Sequence, residues 1–351
     1  MTKTPYNFVS DERFQLLGSW IGEQGYRFDT LTPMSADAGF RRYFRLQIDS
    51  ETLIAVDAPP EYEDTARFVE IANTLHKSGL ITPVVHCYNL ENGFMLLSDL
   101  GSLHLQDCAS PDDTESAQPL YYEALLNLVK MQRNTPTDGL PVYTADFLRQ
   151  ELELFPQWYV RKHHQFKYNA TTEKQLERCF DLCIDSALEQ PSVFVHRDYH
   201  CRNLMIQPDR RIAIIDFQGA LVGPVTYDMV SLLRDAYVEW PDPFIDSFLE
   251  MHYHSLPTIT PTNADTGTGT ETDTTANTSM STYRRWFDLM GLQRHLKILG
   301  IFCRLHHRDG KSHYLDSIPL VRKHVESVCL NYPEFSVLHD LLAQLSQPPT
   351  K

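Results

Sequence analysis

Short alternations of apolar and polar residues dominate the first part of the chain and are typical of β-strands that bury one face. They predict strands over residues 31–35, 43–48, 52–56, 84–89 and 94–97. Apolar residues at helical spacing predict helices over 11–22 and 63–78, and Gly79 is the expected stop of the second helix. This pattern predicts a small, β-rich N-lobe over residues 1–98.

Helical spacing dominates the remainder of the chain. Two short apolar runs, 192–195 and 211–215, interrupt it and predict strands. The polar segment 108–118 is expected to be a surface loop, and the threonine-rich segment at about 257–282 a flexible insertion. Because 351 residues exceed the usual size of one core, we expect an α+β, two-lobe fold with a mainly helical C-lobe over 99–351. Its predicted helices cover 120–134, 144–162, 172–189, 243–254 and 283–305.

Polar side chains follow the two short strands of the C-terminal part. Asp198 comes after the first strand, Asn203 five residues later, and Asp216 after the second strand. Phosphoryl transfer from ATP needs a carboxylate that accepts the proton of the attacking hydroxyl, and oxygen ligands that hold Mg²⁺ against the triphosphate. The spacing predicts Asp198 as the catalytic base and Asn203 and Asp216 as metal ligands.

These side chains also have other interpretations. An Asp or Asn in a loop is often a turn residue that bonds to nearby backbone. His196 and His200, four residues apart, are compatible with a zinc pair on a helix. A strand precedes them, however, and no third ligand stands at a recognisable spacing. The occurrence of all three parts of the motif together favours phosphoryl transfer.

The stretch resembles the aminoglycoside phosphotransferase and choline kinase superfamily, small-molecule relatives of the protein kinases. Within it, the chain looks like the bacterial N-acetylmuramate/N-acetylglucosamine anomeric kinases of cell-wall recycling. The resemblance implies a protein-kinase-like fold, ATP and Mg²⁺ as cofactors, and phosphorylation of the C1 hydroxyl of an N-acetylated amino sugar. It covers most of the chain and is carried by VHRDYHCRNLM (195–205), IDFQGA (215–220) and GPVTYDMVSLLRDAY (223–237), with further matches at 37–45, 57–61 and 292–314.

The nucleotide is expected to bind the N-lobe. Arg41 and Arg42 lie in a loop between predicted strands and are candidates for charge-assisted hydrogen bonds to phosphate, although an ordinary hairpin would also explain the loop. Residues 98–101 resemble the hinge of kinases, so Ser98 and Leu100 are expected beside adenine. The third strand, 52–56, lacks the lysine that kinases carry there. An arginine of the loop or fuller neutralisation by magnesium is expected to compensate.

The acceptor site is expected beyond Asp216. Asp235, Tyr237 and Trp240 offer a carboxylate and aromatic faces, the groups that bind carbohydrates, although an amphipathic helix with a polar face would also explain them. Asp228 is expected to hold the catalytic loop through hydrogen bonds. The further substrate-binding candidates are His200 and Arg202 in the catalytic loop, and Arg294 and Arg304 for the lactyl carboxylate of N-acetylmuramate.

Composition narrows the choice of partners. The net charge of −15, from 46 acidic and 31 basic residues, disfavours nucleic-acid binding, which needs basic surface. The sequence shows neither a signal core nor a membrane span, so we expect a cytoplasmic protein without membrane contacts, and no obligate protein partner is evident. Seven cysteines without a CxxC pair predict reduced thiols, with Cys179 and Cys183 in the core.

Two other functions stay open. A phosphotransferase for another small alcohol, such as an aminoglycoside or choline, would need clustered carboxylates for a cationic substrate, whereas the region 294–311 is basic. A nucleotide-binding pseudokinase would explain the missing lysine. Pseudokinases generally lose the base or the metal ligands, however, and this chain keeps both.

Overall fold

The protein is described here by a computed structural model that covers residues 11–34, 40–49, 51–256 and 278–346. Contacts among these residues define two compact units. Unit 1 runs to Leu103 and also contains Met205–Gln218, whereas unit 2 contains His104–Leu204 and the chain from Gly219 onward. Part of the predicted phosphate loop, 35–39, and most of the predicted insertion, 257–277, lie outside the described residues. The predicted lobe boundary after residue 98 stays a prediction.

Strands predominate early in the chain and helices later. The strands are β1 (Leu31–Pro33), β2 (Arg42–Ile48), β3 (Glu51–Asp57), β4 (Val85–Asn89), β5 (Phe94–Ser98), β6 (Ser192–Val195), β7 (Leu204–Ile206), β8 (Ile212–Ile214) and β9 (Leu221–Pro224). The α-helices are α1 (Glu12–Glu23), α2 (Thr65–Lys77), α3 (Leu105–Cys108), α4 (Thr114–Asn134), α5 (Ala145–Leu152), α6 (Ala170–Leu188), α7 (Tyr227–Leu233), α8 (Asp242–Ser255), α9 (Met280–Asp309), α10 (Ile318–Asn331) and α11 (Ser336–Leu345). A π-helix covers Phe155–His163, and 3-10 helices cover Ser312–Ser317 and Pro333–Phe335. None of the described helices is both long and apolar enough to cross a bilayer.

The main sheet of unit 1 is antiparallel throughout, in the order β1-β2-β3-β5-β4. Because side chains alternate across a strand, one face of β2 and β3 is buried, and Phe44 lies opposite Ala55 on it. α1 covers this face with its own apolar residues. The resulting core consists of Phe14, Leu17, Trp20, Ile21, Phe44, Leu46, Ala55, Phe94 and Leu96.

Helix α2 has defined ends. The side chain of Asp64 caps its start by accepting the N–H of Arg67 at 2.9 Å. It ends before Gly79, which has a φ of +81° in the left-handed region that favours glycine. This start holds Glu63 at the N-terminal end of α2.

Strands β7 and β8 form a second, two-stranded sheet. The backbone N–H of Ile214 in β8 donates to the carbonyl of Ile81 at 2.8 Å, so β8 is fixed beside the segment that follows α2. After β8, Asp216 adopts a left-handed conformation with a φ of +63°. Phe217 is buried against Phe68 of α2, with ring centroids 4.9 Å apart. The aromatic pair anchors the turn that carries Asp216.

Unit 2 is mainly helical, and α9 is its central helix. It is buried along most of its length and packs against α6, α7, α10 and the π-helix. Ser279 caps its start by accepting the N–H of Thr282 at 3.1 Å, and Gly310 ends it with a φ of +69°. Strands β6 and β9 pair antiparallel, with Val195 opposite Leu221. Strand β6 leads directly into the loop 196–203.

Two predicted elements were wrong. The predicted helix over 144–162 is interrupted, since α5 ends at Leu152 and the π-helix begins at Phe155. Pro156 has no N–H for a helical bond, and the backbone of Leu154 lies so close to Gly300 that a Cβ there would come within 2.4 Å of it. Of the predicted surface loop 108–118, only residues 109–113 form a loop, because Asp113 caps α4, which begins at Thr114, and Cys108 ends α3.

The predicted mixed fold class is confirmed. An antiparallel sheet occupies the N-terminal region, and helices dominate the C-terminal part. The seven cysteines all lie within the described residues and are free thiols, and Cys179 and Cys183 are buried as predicted.

Candidate active site

The loop after β6 is held by the buried carboxylate of Asp228 at the start of α7. Its Oδ2 accepts the backbone N–H of His196 at 2.7 Å, and its Oδ1 accepts that of Arg197 at 3.0 Å. His196 is buried, and its Nδ1 lies 3.2 Å from the backbone nitrogen of Asp198. Burial raises the pKa of Asp228 to about 7 despite these hydrogen bonds. His196 and His200 both belong to this loop, which lies between β6 and β7, and neither is on a helix.

Asp198 and Asn203 lie at the two ends of this loop. The amide nitrogen of Asn203 donates to the backbone carbonyl of Asp198 at 3.0 Å. Desolvation by the surrounding protein raises the pKa of Asp198. The opposing effect of nearby positive charges is larger, so the net pKa lies below its ordinary value; these charges belong to His200, Lys297, Arg294 and Arg197. The carboxyl of Asp198 is therefore ionised at neutral pH.

Arg197 connects the loop to a buried ionic network. Its Nη2 donates to Oε1 of Glu151 at 2.6 Å, and Lys297 Nζ lies 3.4 Å from the same oxygen. Gln293 and Tyr143 donate to the other oxygen of Glu151. Burial raises the pKa of the Glu151 carboxyl, but the charges of Lys297 and Arg197 lower it below its ordinary value. The carboxylate thus stays ionised between two cations.

Three of the predicted substrate residues lie together in unit 2. The guanidinium carbon of Arg202 lies 3.5 Å from the ring centroid of Tyr237, a cation–π contact. The ring of His200 meets Tyr237 edge-on at 5.5 Å. Arg202 Nε also donates to Oε1 of Gln106 at 2.8 Å. Tyr237 is half-buried, so the three side chains form one cluster at the end of the catalytic loop.

Asp235 and Trp240 are both buried in unit 2. Asp235 is buried, and its two oxygens accept the backbone N–H groups of Cys201 and Tyr237, each at 3.1 Å. Trp240 is buried against Phe244, with ring centroids 4.3 Å apart. Asp235 thereby connects the catalytic loop to the segment that carries Tyr237.

Arg294 and Arg304 both belong to α9 but lie roughly 15 Å apart along it, since they are ten residues apart and each residue advances about 1.5 Å. The side chain of Arg294 is buried, and neither Nε nor Nη1 has a hydrogen-bond partner among the described residues. The side chain of Arg304 is half-buried. The charge of Arg294 lowers the pKa of Asp198, which associates Arg294 with the catalytic loop.

In unit 1, the segment predicted to contact adenine is tied by backbone and side-chain bonds. Ser98 exchanges two hydrogen bonds with Val84, one through its backbone N–H and one through its hydroxyl, each at 2.9 Å. The carbonyl of Leu100 accepts from Gln207 Nε2 at 3.0 Å. Between them, Asp99 pairs with Arg45 at 2.6 Å. These bonds tie residues 98–100 to Val84, Arg45 and Gln207.

The two predicted phosphate-binding arginines have different surroundings. Arg42 pairs with Asp57, which is buried, and with Asp11. Arg41 instead lies with Nη2 at 2.5 Å from Oε2 of Glu63 and Nη1 at 3.9 Å from Oδ1 of Asp216. Arg41 is therefore the predicted phosphate-binding residue that the structure brings beside a predicted metal ligand.

Sequence reasoning missed Glu63, Glu151 and Lys297. Glu151 and Lys297 left a detectable signal, because each is a charged residue next to apolar core residues of its helix: Leu152 follows Glu151, and Leu296 and Ile298 flank Lys297. Such a residue needs a partner inside the protein. Glu63 left no such signal, since it precedes α2 in a polar segment.

An anchored, ionised aspartate followed by an asparagine at this spacing is the arrangement of a phosphotransferase. The model of the Phosphotransferase enzyme family matches residues 30–260, and the chain belongs to that family. Over 348 residues the chain is 39% identical to the N-acetylmuramate/N-acetylglucosamine kinase of Pseudomonas aeruginosa, covering 96% of this chain and 98% of that relative. It is 33% identical over 317 residues to the kinase of the same name from Neisseria meningitidis, with 90% of each chain covered.

Solved structures agree on the fold. Plasmodium vivax ethanolamine kinase matches with a TM-score of 0.63 at 12% identity, covering 96% of this chain and 92% of that one. The ADP-bound aminoglycoside phosphotransferase APH(2'')-Ib matches with a TM-score of 0.58 at 13% identity, covering 90% of this chain and 98% of that one. The predicted protein-kinase-like fold is confirmed, and the protein is an enzyme that transfers a phosphoryl group.

Proposed function

We propose that this enzyme uses MgATP to phosphorylate the C1 hydroxyl of N-acetylmuramate and N-acetylglucosamine, in the cytoplasm, as part of peptidoglycan recycling. The observation that carries the proposal is the similarity, over nearly the whole chain, to relatives named for these two sugars. The ionised carboxylate of Asp198 on its anchored loop supports the chemistry.

In this proposal Asp198 orients the C1 hydroxyl and accepts its proton while the γ-phosphoryl group is transferred. A bond forms between O1 of the sugar and the γ-phosphorus, the bond from that phosphorus to the β-γ bridging oxygen breaks, and ADP leaves. A carboxylate with a lowered pKa is a weak base. It suffices here because the anomeric hydroxyl is the most acidic hydroxyl of the sugar and loses its proton as the transfer proceeds.

Asn203 and Asp216 are the proposed magnesium ligands, because amide and carboxylate oxygens are the hard donors that Mg²⁺ prefers. Of the two side-chain atoms of the Asn203 amide, the oxygen is the one that binds cations, so Oδ1 would be the ligand atom. The bound metal would neutralise triphosphate charge. Both residues are assigned to the metal from the motif.

For the nucleotide, we propose that Arg41 contacts phosphate and that Ser98 and Leu100 lie beside adenine. Arg42 is proposed to act close to the phosphates from its position at the start of β2, where Asp11 and Asp57 hold its guanidinium. The hydrogen bonds of Ser98 and Leu100 within unit 1 support a preformed adenine site.

For the sugar, we propose that the cluster of His200, Arg202 and Tyr237 contacts the acceptor. Asp235 and Trp240 are also proposed for the acceptor site, where Asp235 positions Tyr237 through its bonds to the backbone of Cys201 and Tyr237. Arg294 is proposed to bind the lactyl carboxylate of N-acetylmuramate, because its buried nitrogens lack partners among the described residues. Arg304, in the same helix, is proposed for the outer part of the acceptor.

The proposal is tested by incubating the purified enzyme and MgATP with a panel of acceptors: N-acetylmuramate, N-acetylglucosamine, glucose, an aminoglycoside, ethanolamine and choline. Phosphorus NMR then locates the phosphate on any product. We expect sugar 1-phosphates from the two N-acetylated sugars and much slower reaction with the other acceptors. Preferential phosphorylation of the aminoglycoside, ethanolamine or choline would replace the proposed acceptor, and hydrolysis of ATP without any product would refute the kinase function.

A further inference from the structure

Unit 1 has almost no lysine. Among its described residues the sequence contains Lys77 alone, at the last position of α2, and β3 contains none. Transfer of a phosphoryl group depends on cations near the triphosphate, and kinases place a lysine on the third strand for that purpose. An arginine must therefore supply any side-chain cation that unit 1 offers to phosphate.

Most arginines of unit 1 form ion pairs with carboxylates other than that of Asp216. Arg13 and Arg42 both bind Asp57, and Arg45 binds Asp99. The pairs of Arg27 with Asp29 and of Arg211 with Asp209 are exposed, and Arg210 is an exposed residue of the turn between β7 and β8. These contacts leave Arg41 and Arg67 as the arginines beside the turn that carries Asp216.

Arg41 approaches the carboxylate of Asp216 itself, whereas Arg67 Nε donates to the backbone carbonyl of Gln218 at 3.0 Å. Glu63 holds Arg41 in place through an ion pair at 2.5 Å. Both side chains of this pair are largely buried, with exposed fractions of 10% for Arg41 and 16% for Glu63. A buried ion pair is costly to desolvate and contributes little to the stability of a protein. The Arg41–Glu63 pair lies beside Asp216, a proposed metal ligand, and this position indicates a function in the site.

The apolar surroundings also fix Arg41. Its guanidinium carbon lies 5.8 Å from the ring centroid of Phe68 in α2, and Phe68 packs on Phe217 next to Asp216. Three separate segments thus meet at Arg41: the start of β2, the start of α2 and the turn after β8. The Tyr43 side chain also hydrogen-bonds to Arg41. Because a guanidinium has five N–H donors, Arg41 keeps donors for phosphate oxygens besides those that face Glu63 and Tyr43.

We propose that Arg41 replaces the missing strand lysine as the cation for the nucleotide phosphates, and that Glu63 is the positioning residue that holds Arg41 for this task. The inference rests on the proposed use of MgATP but not on the identity of the sugar. In this arrangement Glu63 neutralises Arg41 while the site is empty of phosphate and keeps its guanidinium beside Asp216. Loss of either partner should weaken nucleotide binding.

The test measures the Kd of ATP by isothermal titration calorimetry without sugar, once with Mg²⁺ and once with EDTA. The variants are Arg41→Gln, Glu63→Gln and the double variant, with Asp209→Asn as a matched control that removes an exposed ion pair of the same unit. Because a hydrogen bond to a charged group is lost, Arg41→Gln should raise the Kd about 10-fold or more. Glu63→Gln should raise it by about 3- to 10-fold, and the double variant should match Arg41→Gln alone because Glu63 acts through Arg41.

The loss in Arg41→Gln should be larger with EDTA, where no metal shares the phosphate charge, and a purely structural role would not produce this difference. A Kd within about two-fold of the wild-type value for Arg41→Gln would overturn the inference. Additive losses in the double variant would overturn the role of Glu63. If Arg41→Gln does not fold, the Glu63→Gln variant tests the inference instead. An unchanged Kd of ATP in a Glu63→Gln variant with the wild-type Tm would overturn it. Because no sugar is present, these results stand whichever acceptor the enzyme uses.

Discussion

The guanidinium of Arg197 donates to the buried carboxylate of Glu151 at 2.6 Å, while the backbone N–H of the same arginine donates to Asp228 at 3.0 Å. Arg197 has a φ of +78°, a conformation that a residue other than glycine keeps only when its surroundings enforce it. Asp198 follows directly. Two buried carboxylates, one from α5 and one from α7, therefore hold the backbone that carries the proposed catalytic base.

We expect Glu151→Gln to lower kcat by about 10- to 100-fold, because small displacements of a reacting group are costly to the rate. The Kd of MgATP should stay within about two-fold of the wild-type value, since Glu151 belongs to unit 2 and the proposed phosphate cation to unit 1. Steady-state kinetics and calorimetry measure the two quantities. Glu177→Gln, which removes a more exposed ion pair with Arg149, is the control. Equal kcat values in the two variants would contradict the positioning role.

Asp198→Asn tests the base directly. Loss of a general base should lower kcat by about 10²- to 10⁴-fold, because asparagine still accepts a hydrogen bond but takes no proton. Nucleotide binding should change little. Retention of more than about a third of wild-type turnover at saturating substrate would remove Asp198 from this role.

Asp216→Ala is expected to remove the dependence of nucleotide binding on Mg²⁺, because a carboxylate ligand of the metal is lost. Calorimetry of ATP with Mg²⁺ and with EDTA should show a large difference in Kd for the wild-type enzyme and a small one for the variant. The same Mg²⁺ effect in both proteins would mean that the metal is held elsewhere.

The buried side chain of His252 should make the free energy of unfolding depend on pH. His252 is buried, with Nδ1 at 2.6 Å from the Tyr283 hydroxyl and Nε2 at 2.8 Å from Oε1 of Gln132. Burial, with a smaller effect from Arg133, lowers its pKa to about 3. Below pH 6.5, the ordinary pKa of histidine, the unfolded chain therefore binds a proton at His252 that the folded protein excludes. The contribution of the neutral His252 to the free energy of unfolding is thus complete above pH 6.5 and is lost as the pH falls towards 3.

Between pH 7 and pH 5 this one group should lower the free energy of unfolding by about 2 kcal/mol. Urea unfolding at the two pH values measures the change. His252→Gln should be less stable than the wild type at pH 7 but should lose less stability on acidification. His254→Gln, which changes an exposed histidine of the same helix, should behave like the wild type. An equal pH effect in all three proteins would contradict the assignment.

The catalytic motif could be predicted from the sequence because its chemistry lies in short contiguous runs with fixed spacing. The roles of Arg41 and Arg42 could not be separated in that way. They are neighbours in sequence, but Arg42 begins β2 opposite Asp57 whereas Arg41 pairs with Glu63 ahead of α2. Strand register and the position of α2 decide which of the two reaches Asp216, and a local pattern does not contain that information.

The residues that support the catalytic loop could not be predicted from local patterns either, because they pair across long distances in sequence. Glu151 lies 46 residues before Arg197, and Lys297 lies 146 residues after Glu151. The break between α5 and the π-helix was also invisible, because it depends on the close approach of Leu154 to Gly300 in α9. Helical periodicity predicts the existence of these helices well and their interruptions poorly.

The most direct test of the account compares each N-acetylated sugar with its methyl glycoside, using MgATP and phosphorus NMR. Blocking the anomeric oxygen removes the nucleophile that Asp198 is proposed to deprotonate, so a glycoside that still binds has no hydroxyl in line with the γ-phosphate. The account predicts sugar 1-phosphates from the free sugars, and binding without reaction for the glycosides. Phosphorylation of a methyl glycoside would contradict the proposed transfer to C1.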